Sequence, residues 1–161
     1  MFEIRDYRQD DAPLIDALAA KAIEQHQAVY DDLPSFAEKM KHYSALSGSM
    51  EIVVATKQRD IVGAVGYVPA HAERTGVFSS ATPIMRMLVL DPEKAVEGVD
   101  KALAGECIKR AQRDGCDSIA LHISSIMTVA LPMYRRMGFD QQDSEADDLY
   151  GAEYGIFRLS V

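Results

Sequence analysis

The chain has 161 residues, 48% of them hydrophobic, which suits one domain with a real core and does not suit a disordered segment. A net charge of −8 argues against a non-specific nucleic-acid binder, which needs clustered Lys and Arg; it favours solubility first and cationic substrates second. Cys107 and Cys116 have no metal-ligand spacing and fit a reducing, cytoplasmic compartment. No basic-then-apolar leader opens the sequence and no apolar run approaches ~20 residues, so neither export nor membrane spanning is expected.

In chain order, Phe2–Tyr7 alternates as a first strand. Asp10 or Asp11 is placed to cap a helix with Pro13 in its first turn, and Leu14, Ile15, Leu18, Ala22 and Ile23 give that helix an apolar stripe to about Gln27. Tyr30-Asp31-Asp32 breaks the pattern. A second helix is expected from Pro34, with Phe36, Met40 and Tyr43 at near-helical spacing, ending at Ser47-Gly48-Ser49. Glu51–Lys57 and Ile61–Val68 read as a hairpin about a polar turn. Gly63 and Gly66 in its second strand point to a bulge or a close neighbour. Pro69–Ala81 is expected to be a polar covering loop.

Thr82–Gly115 organises the rest. Ile84, Met85, Met87, Leu88, Val89 and Leu90 form the nearly continuous apolar run of a strand buried on both faces. Asp91-Pro92 stops it, because proline has no donor for a ladder. Val99, Leu103, Cys107 and Ala111 then recur four apart as one helical stripe, with Lys109, Arg110 and Arg113 in the last turn and Gly115 beyond it. A strand feeding a helix N-terminus through a short loop is a way to build an anion site, since free N–H groups point outward there. Ser118–Ile123 follows as a strand, then a helix from about Thr128 to Met137 stopped by Gly138, an acidic loop over Asp140–Glu153, and a closing strand Tyr154–Val161. The fold class is therefore α/β: one mixed, twisted sheet with parallel pairing expected between Thr82–Leu90 and Ser118–Ile123.

Two local patterns within this order resemble the GNAT superfamily of N-acyltransferases. Ala130-Leu131-Pro132-Met133-Tyr134-Arg135-Arg136-Met137-Gly138-Phe139 looks like the family's A-x-x-F/L-Y-x-x-x-G-F helix end, with Met133 in place of Phe or Leu. Leu88-Val89-Leu90-Asp91-Pro92-Glu93 looks like its L-x-V-x-P-E strand end. The resemblance implies a single GNAT-like domain over residues 1–161, with six or seven strands flanked by about four helices. It also implies acetyl-CoA as acyl donor, a small-molecule or peptide amine as acceptor, and room for a homodimer.

Site residues follow from the resemblance. Tyr134 falls at the general-acid position, where a phenol protonates the departing thiolate. Leu88, Val89 and Leu90 would act through their backbone, pairing with the pantetheine arm and offering an N–H to the thioester oxygen. Gly98 and Val99 fall in the pyrophosphate loop, but of the family's Q/R-x-x-G-x-G/A only Gly98 matches: Ala95 replaces the donor and Asp100 the last small residue. A carboxylate there repels phosphate. The glutamate many relatives carry early on the central strand is Ile84 here, so His122, an imidazole active near neutral pH, is the base candidate. His71 and Glu73 in the covering loop, and Asp31 and Asp32, are secondary acceptor-side candidates. Two functions follow: an acetyl-CoA-dependent N-acetyltransferase working by direct attack, or a GNAT-fold binding or regulatory module with weakened CoA binding, favoured only by the altered loop.

Overall fold

A computed structural model describes residues 1–23, 42–72, 81–94, 97–124, 130–149 and 152–161, with the side chains of 23, 122–124, 130–131, 142–149 and 152–156 outside that description. One sheet of seven strands carries the fold: β1 (Glu3–Asp6), β2 (Glu51–Lys57), β3 (Asp60–Val68), β4 (Ile84–Leu90), β5 (Ser118–Ser124), β6 (Asp140–Leu149) and β7 (Ala152–Ser160). Their spatial order is β1-β2-β3-β4-β5-β7-β6. β4 and β5 are parallel and the other neighbours antiparallel, so the mixed sheet and its parallel centre are as the sequence predicts.

Three α-helices lie among the described residues: α1 (Ala12–Ile23), α2 (Val99–Arg113) and α3 (Ala130–Arg136). A 3-10 helix, Tyr43–Gly48, leads into β2. The breaker at Tyr30-Asp31-Asp32 and the start of the predicted second helix, with Phe36 and Met40, lie outside the described residues. α1 buries Ile15, Leu18, Ala19 and Ala22 against Ile52, Val54, Ala64 and Val89, and Tyr43 joins them. α2 buries Val99, Leu103, Ala104, Cys107 and Ala111 against Val53, Ala55, Val65 and Met85 from the opposite face. The alternation along β2 divides its residues between the two layers, as the pleat requires. Full burial of Val99 and Leu103 is worth about 1.5–3 kcal/mol each.

Gly63 lets α2 approach the sheet: a Cβ there would lie 2.9 Å from Val99 Cγ1 and 3.0 Å from Leu103 Cδ1. Gly66 has the sulfur of Met50 over it and sits at a register break, so both glycines have the close neighbours their sequence context suggested.

Two expectations change. Neither Asp10 nor Asp11 caps α1 by a side-chain bond; they lie in a short 3-10 turn. The Asp11 carboxylate turns back to accept from the Arg8 N–H at 2.8 Å and from both Arg5 guanidinium nitrogens at 2.8 and 2.9 Å. The acidic stretch from Asp140 is not a loop but edge strand β6. Its ladder with β7 supplies the order that side-chain pattern does not, and charge on an edge strand discourages further pairing. Five steps of β6, Gln141 to Ala146, run against two steps of β7, Phe157 to Gly155, so an irregularity absorbs the excess.

Candidate functional site

The central strands pair and then part. β4 and β5 share one register position, Ile84 with Ala120, and the Ala120 N–H donates to the Pro83 carbonyl at 3.0 Å. Beyond it β5 continues to Ser124 paired with β7, and β4 continues to Leu90 paired with β3. Between them two strand edges face each other without a ladder. Unpaired strand edges bind extended chains through their backbone groups.

A bulge shapes the β4 edge. From Ala64 to Gly66 β3 advances two residues, while β4 retreats three, from Val89 to Arg86. The extra residue is accommodated at Met87, which takes the left-handed backbone at φ 59°. Past the bulge the Asp91 N–H donates to the Val62 carbonyl at 2.8 Å. Bonding toward a given neighbour alternates along a strand, so Val89 faces Ala64 in the same way and the Leu88 and Leu90 amides turn toward the gap. Leu88 and Leu90 are half-buried and Val89 is buried.

The loop after β4 is organised by Asp91, buried at 7% exposure. Its carboxylate accepts from the Glu93 and Lys94 N–H groups at 2.8 and 3.0 Å and pairs with Lys21 of α1 at 3.2 Å. Burial works against its charge, but those two amides and the Lys21 ammonium hold the carboxyl below the ordinary carboxylate range. Ala95 and Val96 lie outside the described residues. Gly98 then caps α2 with φ 92°, and open space surrounds the position of a Cβ there, so the backbone is accessible to a ligand. The first α2 bond runs from the Ala102 N–H to the Gly98 carbonyl. Of the N–H groups ahead of it, that of Lys101 is taken at 2.8 Å by the carboxylate of Asp100. An acidic side chain thus occupies part of the helix's anion-attracting end.

Tyr134, on α3, is 4% exposed and stacks edge-on against Phe139, ring centroids 5.5 Å apart. Burial pushes its phenol above the ordinary range, and Cys107 and Asp100 act in the same direction. The phenol therefore keeps its proton across the working pH range, and its ring packs in the same core cluster as Val99, Leu103 and Cys107 of α2. The turn after it closes as the sequence predicts, with Gly138 at φ 104° and the Phe139 N–H donating to the Tyr134 carbonyl at 3.0 Å.

His122 lies on the parted stretch of β5, opposite Ile156 of β7; its side chain is outside the described residues, as are Asp31, Asp32 and Glu73. His71 is exposed in a turn. No cluster of His, Cys, Asp or Glu able to hold a metal occurs among the described residues, and none of the described helices is long and apolar enough to cross a membrane.

Three contributors were not singled out by sequence reading. Lys21 carried no sequence signal, and Asp91 looked only like a strand stop. Tyr43 looked like a packing residue, yet its hydroxyl donates to the Met87 carbonyl at 2.7 Å. Only the Asp-Pro dipeptide gave a local signal, for the Asx-type turn.

The fold is shared with known proteins. The model of the acetyltransferase (GNAT) family matches residues 14–139. No curated protein matches the chain. Among solved structures, PaiA N-acetyltransferase from Thermoplasma acidophilum in complex with coenzyme A is similar at 17% identity and TM-score 0.73, over 100% of this chain and 99% of that one. The ribosomal-protein-alanine N-acetyltransferase from Brucella melitensis is similar at 16% identity and TM-score 0.72, over 99% of each chain. The ribosomal-protein-S18-alanine N-acetyltransferase from Escherichia coli is similar at 15% identity and TM-score 0.71, over 100% of this chain and 94% of that one. At such identities these likenesses establish the shared fold.

Proposed function

Because this chain belongs to the acetyltransferase (GNAT) family, we propose that it is an N-acetyltransferase that moves an acetyl group from acetyl-CoA to an amine by direct attack. The observation that carries the reading is the gap between β4 and β5, open from Ile84 and Ala120 onward and bordered by a bulged strand. A pantetheine arm is an extended chain with two amides, and the free edge of β4 offers complementary donors and acceptors. Leu88 and Leu90 turn their amides to that edge while Val89 between them holds the strand to Ala64 of β3, and the Leu88 amide is the donor for the thioester oxygen. Gly98 and Val99 present backbone N–H groups to the pyrophosphate.

The chemistry balances without a covalent enzyme intermediate. The amine nitrogen bonds to the acyl carbon, the carbon–sulfur bond breaks, and the sulfur leaves as a thiol with the proton of the Tyr134 phenol. The amine's surplus proton goes to His122 or to water, and the phenol is reprotonated from solvent. Typical general-acid contributions are ~10²–10⁴ in rate.

The solved structures similar to this one include N-acetyltransferases named for a protein alanine and one in complex with coenzyme A. Those names support a nitrogen acceptor, small molecule or peptide, and CoA as carrier. The catalytic reading is preferred to a non-catalytic module because gap, bulge and buried tyrosine occur together. The two free cysteines and the net charge of −8 accord with a cytoplasmic enzyme, monomer or homodimer, without a nucleic-acid partner. Calorimetric titration with acetyl-CoA and free CoA, followed by thiol release across a panel of amines, tests this. We expect saturable binding with affinity limited by Asp100. Neither binding nor thiol release at millimolar acetyl-CoA would refute it.

A further inference from the structure

We propose that Tyr43 is a positioning residue for acyl transfer, holding the peptide between Met87 and Leu88 so that the Leu88 N–H is presented to the thioester oxygen. This inference rests on the proposed function above and assigns a part to a side chain 44 positions away in sequence.

The argument starts from strain. Met87 is neither Gly nor Asn, yet it sits at φ 59°. A residue with a Cβ is strained in that conformation, so the surroundings must hold it. The only hydrogen bond the Tyr43 side chain makes among those described runs to this residue: its hydroxyl donates to the Met87 carbonyl at 2.7 Å.

Planarity converts that bond into aim. Within a trans peptide the C=O and N–H point in opposite directions. The Met87 carbonyl and the Leu88 N–H belong to one peptide unit, so fixing the first toward Tyr43 directs the second away from it. The ladder argument gives the Leu88 amide no partner on β3 and turns it toward the gap. The register of β3 with β4 turns the Leu88 amide toward the gap, and the bond to Tyr43 fixes the orientation of the same peptide unit.

The donor itself is rigid. Tyr43 is fully buried, among Ile15, Leu18 and Met50 of the α1-side core. The next residue is pinned to α1, where Asp16 accepts from both the N–H and the hydroxyl of Ser44 at 2.7 Å each. Burial pushes the Tyr43 phenol above the ordinary range, so it stays a donor throughout the working pH range. A buried phenol needs a partner in any fold, and that alone would give a structural role. What distinguishes Tyr43 is the identity of its acceptor, the left-handed residue of the bulge.

The test uses Tyr43→Phe, which keeps the ring and removes the hydroxyl, beside Tyr67→Phe as control. Tyr67 is equally buried, and its hydroxyl donates to Asp114 at 2.8 Å, at the far end of α2. Three quantities are read on both variants: melting temperature, kcat and KM for acetyl-CoA, and the ¹⁵N–¹H signal of Leu88. Loss of a whole oxyanion donor costs ~10²–10³ in kcat, and misaiming one is expected to cost Tyr43→Phe about tenfold or more, with KM changed less than about threefold. Its Leu88 signal should move and its Leu88 amide exchange faster. Tyr67→Phe should lose similar thermal stability but keep kcat and the Leu88 signal. Equal kcat losses in the two variants, or an unmoved Leu88 signal in Tyr43→Phe, would overturn the inference. If the wild-type protein acetylates no amine, the function proposed above falls. The Leu88 signal then judges the hold of Tyr43 on the peptide alone, supporting it if displaced only in Tyr43→Phe and overturning it otherwise.

Discussion

Asp100→Asn should tighten CoA binding while weakening the fold, and the opposite signs make it a sharp test. Asp100 stands in the first turn of α2 with its carboxylate on the Lys101 N–H at 2.8 Å. Asparagine keeps an oxygen acceptor for that N–H and removes only the charge. At a separation of about 6 Å, a unit charge and a doubly charged pyrophosphate repel by roughly 1.4 kcal/mol at ε ≈ 80 and roughly 5.5 kcal/mol at ε ≈ 20. Asp100 is half-exposed, so the solvent-screened end applies, about 1–2 kcal/mol or roughly 5–30-fold in Kd. The same charge favours the helix dipole, so its removal costs about 0.3–1 kcal/mol of stability. Calorimetric titration of free CoA reads the first effect and thermal or urea denaturation the second. The affinity gain should persist at 0.1 M salt, where the Debye length is ~10 Å, and shrink near 1 M, where it is ~3 Å. An unchanged Kd for CoA at low salt would refute the reasoning and remove the pyrophosphate from the N-terminus of α2.

Tyr134→Phe should lower kcat by ~10²–10⁴ with KM for acetyl-CoA little changed, measured by thiol release. Because burial raises the phenol's pKa, the donor form persists, and the wild-type kcat profile should show no fall from this group near pH 10, the ordinary phenol value. Gly63→Ala forces a methyl to 2.9 Å from the stiff Val99 side chain, and urea denaturation should report a loss of about 1–3 kcal/mol. Cys107 is fully buried with its thiol pushed up to about 12 by burial, whereas Cys116 is partly exposed. Iodoacetamide near pH 8 should therefore modify Cys116 in the native protein and reach Cys107 only on unfolding, as peptide mass mapping would show.

The parts of this molecule that the sequence displayed are those whose cause is local. Val99, Leu103, Cys107 and Ala111 announce one helix face because a 3.6-residue period forces them together, and all four are fully buried. Ile84–Leu90 announces a central strand because both its faces must be apolar. The edge strand β6 was hidden for the converse reason: Asp140–Leu149 is ordered by its ladder with β7, and its acidic sequence carries no strand pattern. The bulge was hidden more deeply. Methionine has no preference for φ 59°, so nothing in the residue type at position 87 signals it. The bond that holds it comes from Tyr43, and no spacing rule links the two. Tyr134 and Gly138-Phe139 were legible through family resemblance, but the deep burial of the phenol depends on how α3 packs on α2 and β5.

The two ends of α2 are built for different tasks. At its C-terminal end Arg110 is 8% exposed and meets Asp6 of β1, Glu51 of β2 at 2.8 Å and Glu106 one turn back at 3.3 Å. Arg113 adds Glu51 at 3.2 Å and Asp114 at 2.8 Å, and Tyr67 of β3 donates to Asp114. These contacts tie one end of the helix to three strands, and the cations also suit the dipole there. At the N-terminal end Gly98 has open space around it, and the one side-chain partner described for the free amides is the helix's own Asp100. The core side of that first turn is fixed, since Val99 and Leu103 pack against Gly63, so the N–H groups at the helix start can be presented to a ligand without reordering the core. Under the function proposed above, Asp100 would be a built-in competitor: its carboxylate partners the Lys101 amide and would oppose an arriving phosphate. A carboxylate in the first turn stabilises the helix and would weaken the binding of an anion there, which is why Asp100→Asn should move stability and CoA affinity in opposite directions.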